Sequence, residues 1–226
     1  MTIPHAVVIA IDGPSGAGKG TVARALAARL AFRHIDTGAM YRAVAWKARH
    51  SGLDLGDERA VAALAQSAAI DLTPGVVIDG HDVTDAIRTP EMDQAAAVVA
   101  RLPAVRAALV VRQRAYRAAP GIVVEGRDIG SVVFPDAEVK LYLDAAPEER
   151  ARRRSRDVSH AASRHATSVA DVASALDARD HEDRTRAVSP LTQTDGAIYI
   201  DTTGVSVEAV VEQVLALVHR RLRADL

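Results

Sequence analysis

The chain has 226 residues, 49% hydrophobic but only 3% aromatic, with a formal net charge of −1. That length suits one α/β domain with an aliphatic core and leaves little room for a second. The charge balance argues against general affinity for nucleic acid or acidic membranes, the absence of cysteine excludes disulfides, thiolate metal sites and cysteine nucleophiles, and no apolar run is long enough to span a bilayer.

Residues 1–12 lack a basic leading region, and their short apolar run reads as a first strand rather than an export signal, so a cytoplasmic protein is expected. Residues 6–12 are near-continuously apolar, as in a strand buried on both faces. Good helix formers follow over 19–30, and residues 37–51 read as a second helix. Residues 70–83 (IDLTPGVVIDGHDV) carry Thr-Pro-Gly and Asp-Gly turn signals between short β-prone pieces, which predicts a small antiparallel insertion. Helices are predicted at 103–119, 147–157, 169–184 and 206–223, with Pro103 and Pro147 suited to a first helical turn. Strands are predicted at 121–125, 138–144 and 197–201. In the last helix Val207, Val210, Val211, Val214, Leu215 and Val218 share one face, so it should pack on the sheet. This alternation is that of a parallel sheet covered by helices, in a single domain over 1–226. Residues 157–168 are polar and rich in small side chains, and read as a mobile flap.

Gly13, Pro14, Ser15, Gly16, Ala17, Gly18 and Lys19 fit GxxxxGK, directly after a strand and directly before a helix. Glycines let successive backbone N–H groups turn inward around an anion, and the helix N-terminus adds its partial positive charge. Lys19 supplies a compact ammonium able to reach between β- and γ-phosphates. The next residue is Gly20, with Thr21 one further on, where many such loops carry a Ser or Thr that ligates Mg²⁺. Magnesium is therefore expected to be held mainly through water and the nucleotide's own oxygens.

A phosphate loop alone does not choose between GTP switch, ATPase and small kinase. The chain contains no asparagine, which removes the Asn-Lys-x-Asp guanine reader, and it is short for a motor. A small kinase needs arginines to neutralise charge on the transferring group. Arg150, Arg152, Arg153, Arg154 and Arg156 flank one side of the polar segment, and Arg179, Arg184 and Arg186 the other. They form either a solvated charged face, with Glu148, Glu149, Asp157 and Asp183 as partners, or a closing lid over 150–180; their bracketing of one loop favours the lid.

The string IDGPSGAGKGT at 11–21 resembles that of the bacterial cytidylate kinases. So do DTGAMYR at 36–42, EGRDIG at 125–130, VFPDA at 133–137 and RTRAVSPL at 184–191, in the family's order. The resemblance covers essentially the whole chain. It implies a five-stranded parallel sheet wrapped by helices, a monophosphate-binding region over 37–102 that includes the β-rich insertion, and a mobile lid. It further implies transfer of the γ-phosphoryl group of ATP to CMP or dCMP, with Mg²⁺, by a monomer. Gly13 to Thr21 would then hold the ATP phosphates. Thr37, Tyr41 and Arg42 would line the CMP pocket, with Arg42, Arg127 and Arg179 on its phosphate. Arg106 and Asp128 would read the base, Asp183 and Arg186 the ribose, and Arg152 and Arg156 the migrating phosphoryl group. The chemistry agrees: a carboxylate accepts from cytosine's amine and a guanidinium donates to its ring acceptors, whereas uracil would set a carbonyl against that carboxylate.

The chain departs from relatives at Ala97, where they carry a serine near the base, and at Glu125, where some have Asp. Glu125 would orient a magnesium-bound water or form a salt bridge to a nearby arginine. Asp12 would orient the loop or a magnesium water, or cap backbone N–H groups. His160 and His165 are five apart and complete no metal site, so no protein metal centre is expected. Lys47 and Lys140 read as solvent-reaching side chains and Trp46 as core. Kinases acting on shikimate, gluconate or dephospho-coenzyme A share the loop without needing the Arg106 and Asp128 pair. A nucleotide-binding regulatory module would need no acceptor pocket at all.

Overall fold

The computed structural model describes residues 7–118, 120–156 and 168–224. Residues 157–167 of the expected flap, with His160 and His165, lie outside this set. Five parallel strands form the main sheet: β1 (Val7–Asp12), β2 (Arg33–Asp36), β6 (Gly121–Glu125), β7 (Val139–Asp144) and β8 (Ile198–Asp201), in the order β2-β6-β1-β7-β8.

The two-residue period of β1 explains its burial on both sides. Val7, Ile9 and Ile11 face one layer, packed with Val22 and Leu26 of α1 (Lys19–Leu30) and with Val210, Val214 and Val218 of α8 (Val207–Ala224). Val8 and Ala10 face the other, against Ile122, Val124, Ile129 and Phe134. Of the expected apolar stripe of the last helix, Val210, Val211, Val214, Leu215 and Val218 are buried, while Val207, at the start of the helix, is exposed.

A second core joins α2 (Thr37–His50), α3 (Glu58–Ser67), α4 (Pro90–Val99) and α5 (Pro103–Ala115) through Met40, Val44, Val61, Met92 and Leu109. Asp36, Asp57 and Thr89 cap the first three of these helices, each accepting from a backbone N–H three residues on. The insertion is a three-stranded antiparallel sheet, β3 (Ile70–Asp71), β4 (Val77–Ile78) and β5 (His81–Asp82), with Val76, Ile78, Val83 and Ile87 packed on Ala39 and Ala43 of α2. Its tight turn is Asp79-Gly80, both with positive φ, as a two-residue hairpin loop requires. Finally α6 (Pro147–Arg156) and α7 (Val169–Thr185) meet through Ala151, Val172 and Leu176.

The sheet, the insertion and the helices read from the sequence are all present, with α5 ending four residues short of the expected 119. Two helices, α3 and α4, and the short edge strand β2 are additional. Lys47 does not simply reach solvent: its Nζ lies 3.4 Å from Asp79 Oδ2, tying α2 to the hairpin. Trp46 is half-buried and stacks on His50, with ring centroids 4.8 Å apart.

Candidate active site

The phosphate loop turns where backbone space is tightest. Gly13, Gly16 and Gly18 have φ of 144°, 79° and 87°, and a Cβ on Gly13 would stand 1.9 Å from the Leu143 carbonyl oxygen. The Asp180 carboxylate, fully buried, accepts from Ser15 N at 3.2 Å and pairs with Arg150, which donates to the Ser15 carbonyl at 3.1 Å. The loop is therefore held from outside by α6 and α7. Lys19 is 7% exposed and donates to the Pro14 carbonyl at 2.6 Å. Burial, and then the Arg127 guanidinium, hold its ammonium down to about 7.

Asp12 caps backbone N–H groups: its two oxygens accept from Ile129 N at 2.7 Å and Gly130 N at 2.8 Å. Burial raises its pKa to about 6, against the pull of those two amides. Glu125 pairs with His34 at 3.0 Å, not with an arginine. Its other contact explains Gly20, since a Cβ there would lie 2.9 Å from Glu125 Oε1. The carboxylate fills the space that a serine side chain at position 20 would need.

A cavity of about 700 Å³ opens beside the loop. Ser15, Gly16, Ala17, Gly18, Lys19, Gly20 and Thr21 line one part of it. Thr37, Tyr41, Arg42, Arg106, Arg127, Asp128, Arg179, Asp183 and Arg186 line the rest, with Ala97 and Glu125. Gly13 and Pro14 shape the loop from behind.

Arg106 and Asp128 form an ion pair, 3% and 6% exposed, with the Arg106 guanidinium 5.6 Å from the Tyr41 ring centroid. Burial, above all, pushes the Tyr41 hydroxyl up to about 12. Asp183 accepts from Arg127 Nε at 2.8 Å and lies 3.4 Å from Arg186, which in turn reaches within 3.9 Å of Asp128. Burial pushes the Asp183 carboxyl up, but Arg127, with Arg179 and Arg186, brings it below the ordinary range. Arg42 pairs with Asp36 at 3.0 Å. The Thr37 hydroxyl donates to the Glu125 carbonyl at 2.7 Å, a bond within the protein.

Of the two arginines expected at the migrating group, Arg156 lines the cavity and Arg152 does not. Arg152 is half-exposed and pairs with Glu149, which itself lines the cavity. Arg153 and Arg154, expected only as members of the lid cluster, line the cavity as well, and so do Arg24 and Arg88, which had no assigned role. The arginine run at 150–156 signals that side chains will face the cleft. It does not say which, because a helix turns 100° per residue. Among the described residues no group of three His, Cys, Asp or Glu could hold a metal ion.

A glycine-rich loop leading from a central strand into a helix, beside an arginine-walled cavity, is the architecture of a phosphate-loop kinase. The gluconokinase of Sinorhizobium meliloti 1021 shares this fold with a TM-score of 0.50, at 13% identity over 97% of this chain and 94% of that one. An uncharacterized protein from Eubacterium ventriosum ATCC 27560 does so at 0.52, with 11% identity over 94% and 98%. In sequence the relation is closer. The family model described as cytidylate kinase matches residues 9–220. The chain is 48% identical over 217 residues to the cytidylate kinase of Solibacter usitatus (strain Ellin6076), covering 96% of this chain and 94% of that one. It is 47% identical over 222 residues to the cytidylate kinase of Pseudomonas aeruginosa (strain UCBPP-PA14), covering 92% and 93%. The chain belongs to the cytidylate kinase family.

Proposed function

We propose that this chain transfers the γ-phosphoryl group of ATP to CMP or dCMP in a cleft that closes over both nucleotides. The observation that carries the choice of base is the buried Arg106 and Asp128 pair, set in the same cavity as the phosphate loop. The Asp128 carboxylate, paired with Arg106 and 3.9 Å from Arg186, is an acceptor for cytosine's amine. The same carboxylate repels the carbonyl that uracil presents there.

The loop from Gly13 to Thr21 binds the donor phosphates through its backbone N–H groups, apart from Pro14, which has none, and Ser15, whose N–H donates to Asp180, and Lys19 brings a positive charge to the β,γ-bridge. Arg42, Arg127 and Arg179 fix the acceptor phosphate, and Asp183 with Arg186 orients the ribose. Arg156, together with Arg152 on lid movement, neutralises the equatorial oxygens as the phosphoryl group moves in line. The protein's contribution is positioning and charge, because the transition state is loose and needs no covalent partner. Magnesium, when it arrives with ATP, neutralises phosphate charge. The residues present fit an ion carried by the nucleotide: Glu125 offers one carboxylate beside Gly20, suited to holding a metal-bound water, while both Asp12 oxygens are engaged by backbone N–H groups. We read the working unit as a monomer located in the cytoplasm.

The deciding experiment is an acceptor panel with ATP and Mg²⁺: CMP, dCMP, UMP, AMP and shikimate. CMP and dCMP should be phosphorylated well ahead of UMP. Equal efficiency with UMP would overturn the base-reading assignment, and turnover of none would leave a binding module. Arg127→Ala should impair both turnover and acceptor affinity; if neither changes, the acceptor phosphate is misplaced.

A further inference from the structure

Asp93 stands behind the cavity wall, in the first turn of α4, and three guanidinium groups from three other helices converge on it. Arg42 of α2 and Arg179 of α7 address Oδ1 at 4.0 Å and 3.3 Å, and Arg154 of α6 pairs with Oδ2. The carboxylate is 13% exposed and does not line the cavity, whereas all three arginines do. A first-turn acid also suits the helix dipole, but that role needs no partners. Three like charges crowded at one wall repel each other; Arg42 also pairs with Asp36 at 3.0 Å, and the Asp93 carboxylate is a counter-charge that all three share.

We propose that Asp93 is a positioning residue: the charge on one oxygen draws in Arg42 and Arg179, the other oxygen holds Arg154, so that α4 fixes two of the three acceptor-phosphate arginines and links them to the arginine-rich helix α6. The proposal rests on the reading of Arg42 and Arg179 as acceptor-phosphate ligands. It assigns Asp93 an effect on the acceptor that passes through those two side chains. An amide in its place offers one acceptor oxygen and sets an NH₂ group against a guanidinium, so at least one arginine is released.

The test is calorimetric binding of CMP and, separately, of ATP to Asp93→Asn, Asp93→Glu, Arg42→Ala, Arg179→Ala and the combinations, with thermal unfolding as a check on folding. Asp93→Asn should weaken CMP binding about tenfold and leave ATP binding within about twofold. In the Arg42→Ala/Arg179→Ala background the same substitution should cost less than about twofold, because its intermediaries are gone. Asp93→Glu, which keeps the charge, should bind CMP within about threefold of wild type, and it carries the test if the amide variant fails to fold. A full tenfold loss in the double-alanine background would show that Asp93 acts through the frame of α4 and would overturn the proposal. Unchanged CMP binding by Asp93→Asn, alongside clear losses in the arginine variants, would overturn it too while leaving the acceptor-site reading intact. If the arginine variants bind CMP normally, that reading fails and the positioning role falls with it.

Discussion

A lysine held down to about 7 should take up a proton when a polyanion arrives. At pH 8 about nine-tenths of such an amine is neutral, at pH 7 about half and at pH 6 about a tenth. A triphosphate against the Lys19 ammonium restores its preference for the charged form, because an adjacent opposite charge raises a lysine's pKa. ATP binding should therefore absorb up to about 0.9 proton at pH 8 and about 0.1 at pH 6, in excess of whatever the nucleotide itself contributes. The assay is calorimetry with a non-hydrolysable ATP analogue in buffers of different ionisation enthalpy, comparing wild type with Lys19→Met. Equal proton uptake by the two at pH 8 would refute the reasoning, since the linkage belongs to this one side chain. The stability consequence has a definite sign. The folded pKa lies below the unfolded value of 10.5, so the unfolded state binds the proton more tightly between about 7 and 10.5. The contribution of Lys19 to folding is accordingly unfavourable below pH 7 and is relieved as pH rises. Lys19→Met should raise the Tm of the nucleotide-free protein while lowering turnover by about 100-fold or more, separating the residue's cost to the fold from its use in the reaction.

Asp128→Asn should narrow the preference for CMP over UMP and destabilise the fold by about 3 kcal/mol, because it leaves the Arg106 charge buried without a counter-ion; acceptor kinetics and urea unfolding measure the two effects. Asp12→Asn keeps one acceptor oxygen where Ile129 N and Gly130 N need two, and should cost about 1–3 kcal/mol by the same unfolding measurement. Gly13→Ala puts a methyl group into the Leu143 carbonyl oxygen at a positive φ, so its denaturation midpoint should fall by an amount equivalent to about 3 kcal/mol or more.

The elements missing from the sequence reading share a physical cause. β2 (Arg33–Asp36) is four residues at the sheet edge with three polar side chains exposed or partly exposed, so it lacks the apolar run that marks a buried strand. Helices α3 and α4 are only ten residues each and rich in alanine, so each spans fewer than three turns and carries few large apolar side chains. Their signals were in the capping residues, Asp57 before Glu58 and Thr89 before Pro90. Glu125 shows the same limit at the site. Its carboxylate could have met any of 25 arginines, and the register of β2 against β6 brought it His34 instead, with Asp36 opposite Glu125 and His34 two residues behind, on the same face.

The sequence by itself determined the phosphate loop, the insertion hairpin and the parallel sheet. Each is written in contiguous residues through backbone permissiveness, turn chemistry and a two-residue apolar period, which are local properties of a chain. Only the tertiary structure decided which arginines reach the cavity, that Asp12 serves the turn at Ile129, and that Asp93 gathers charges from three helices. Those facts depend on helix rotation and on the packing of segments distant in sequence. Ion pairs follow distances in space, and no pattern of neighbours along the chain encodes them.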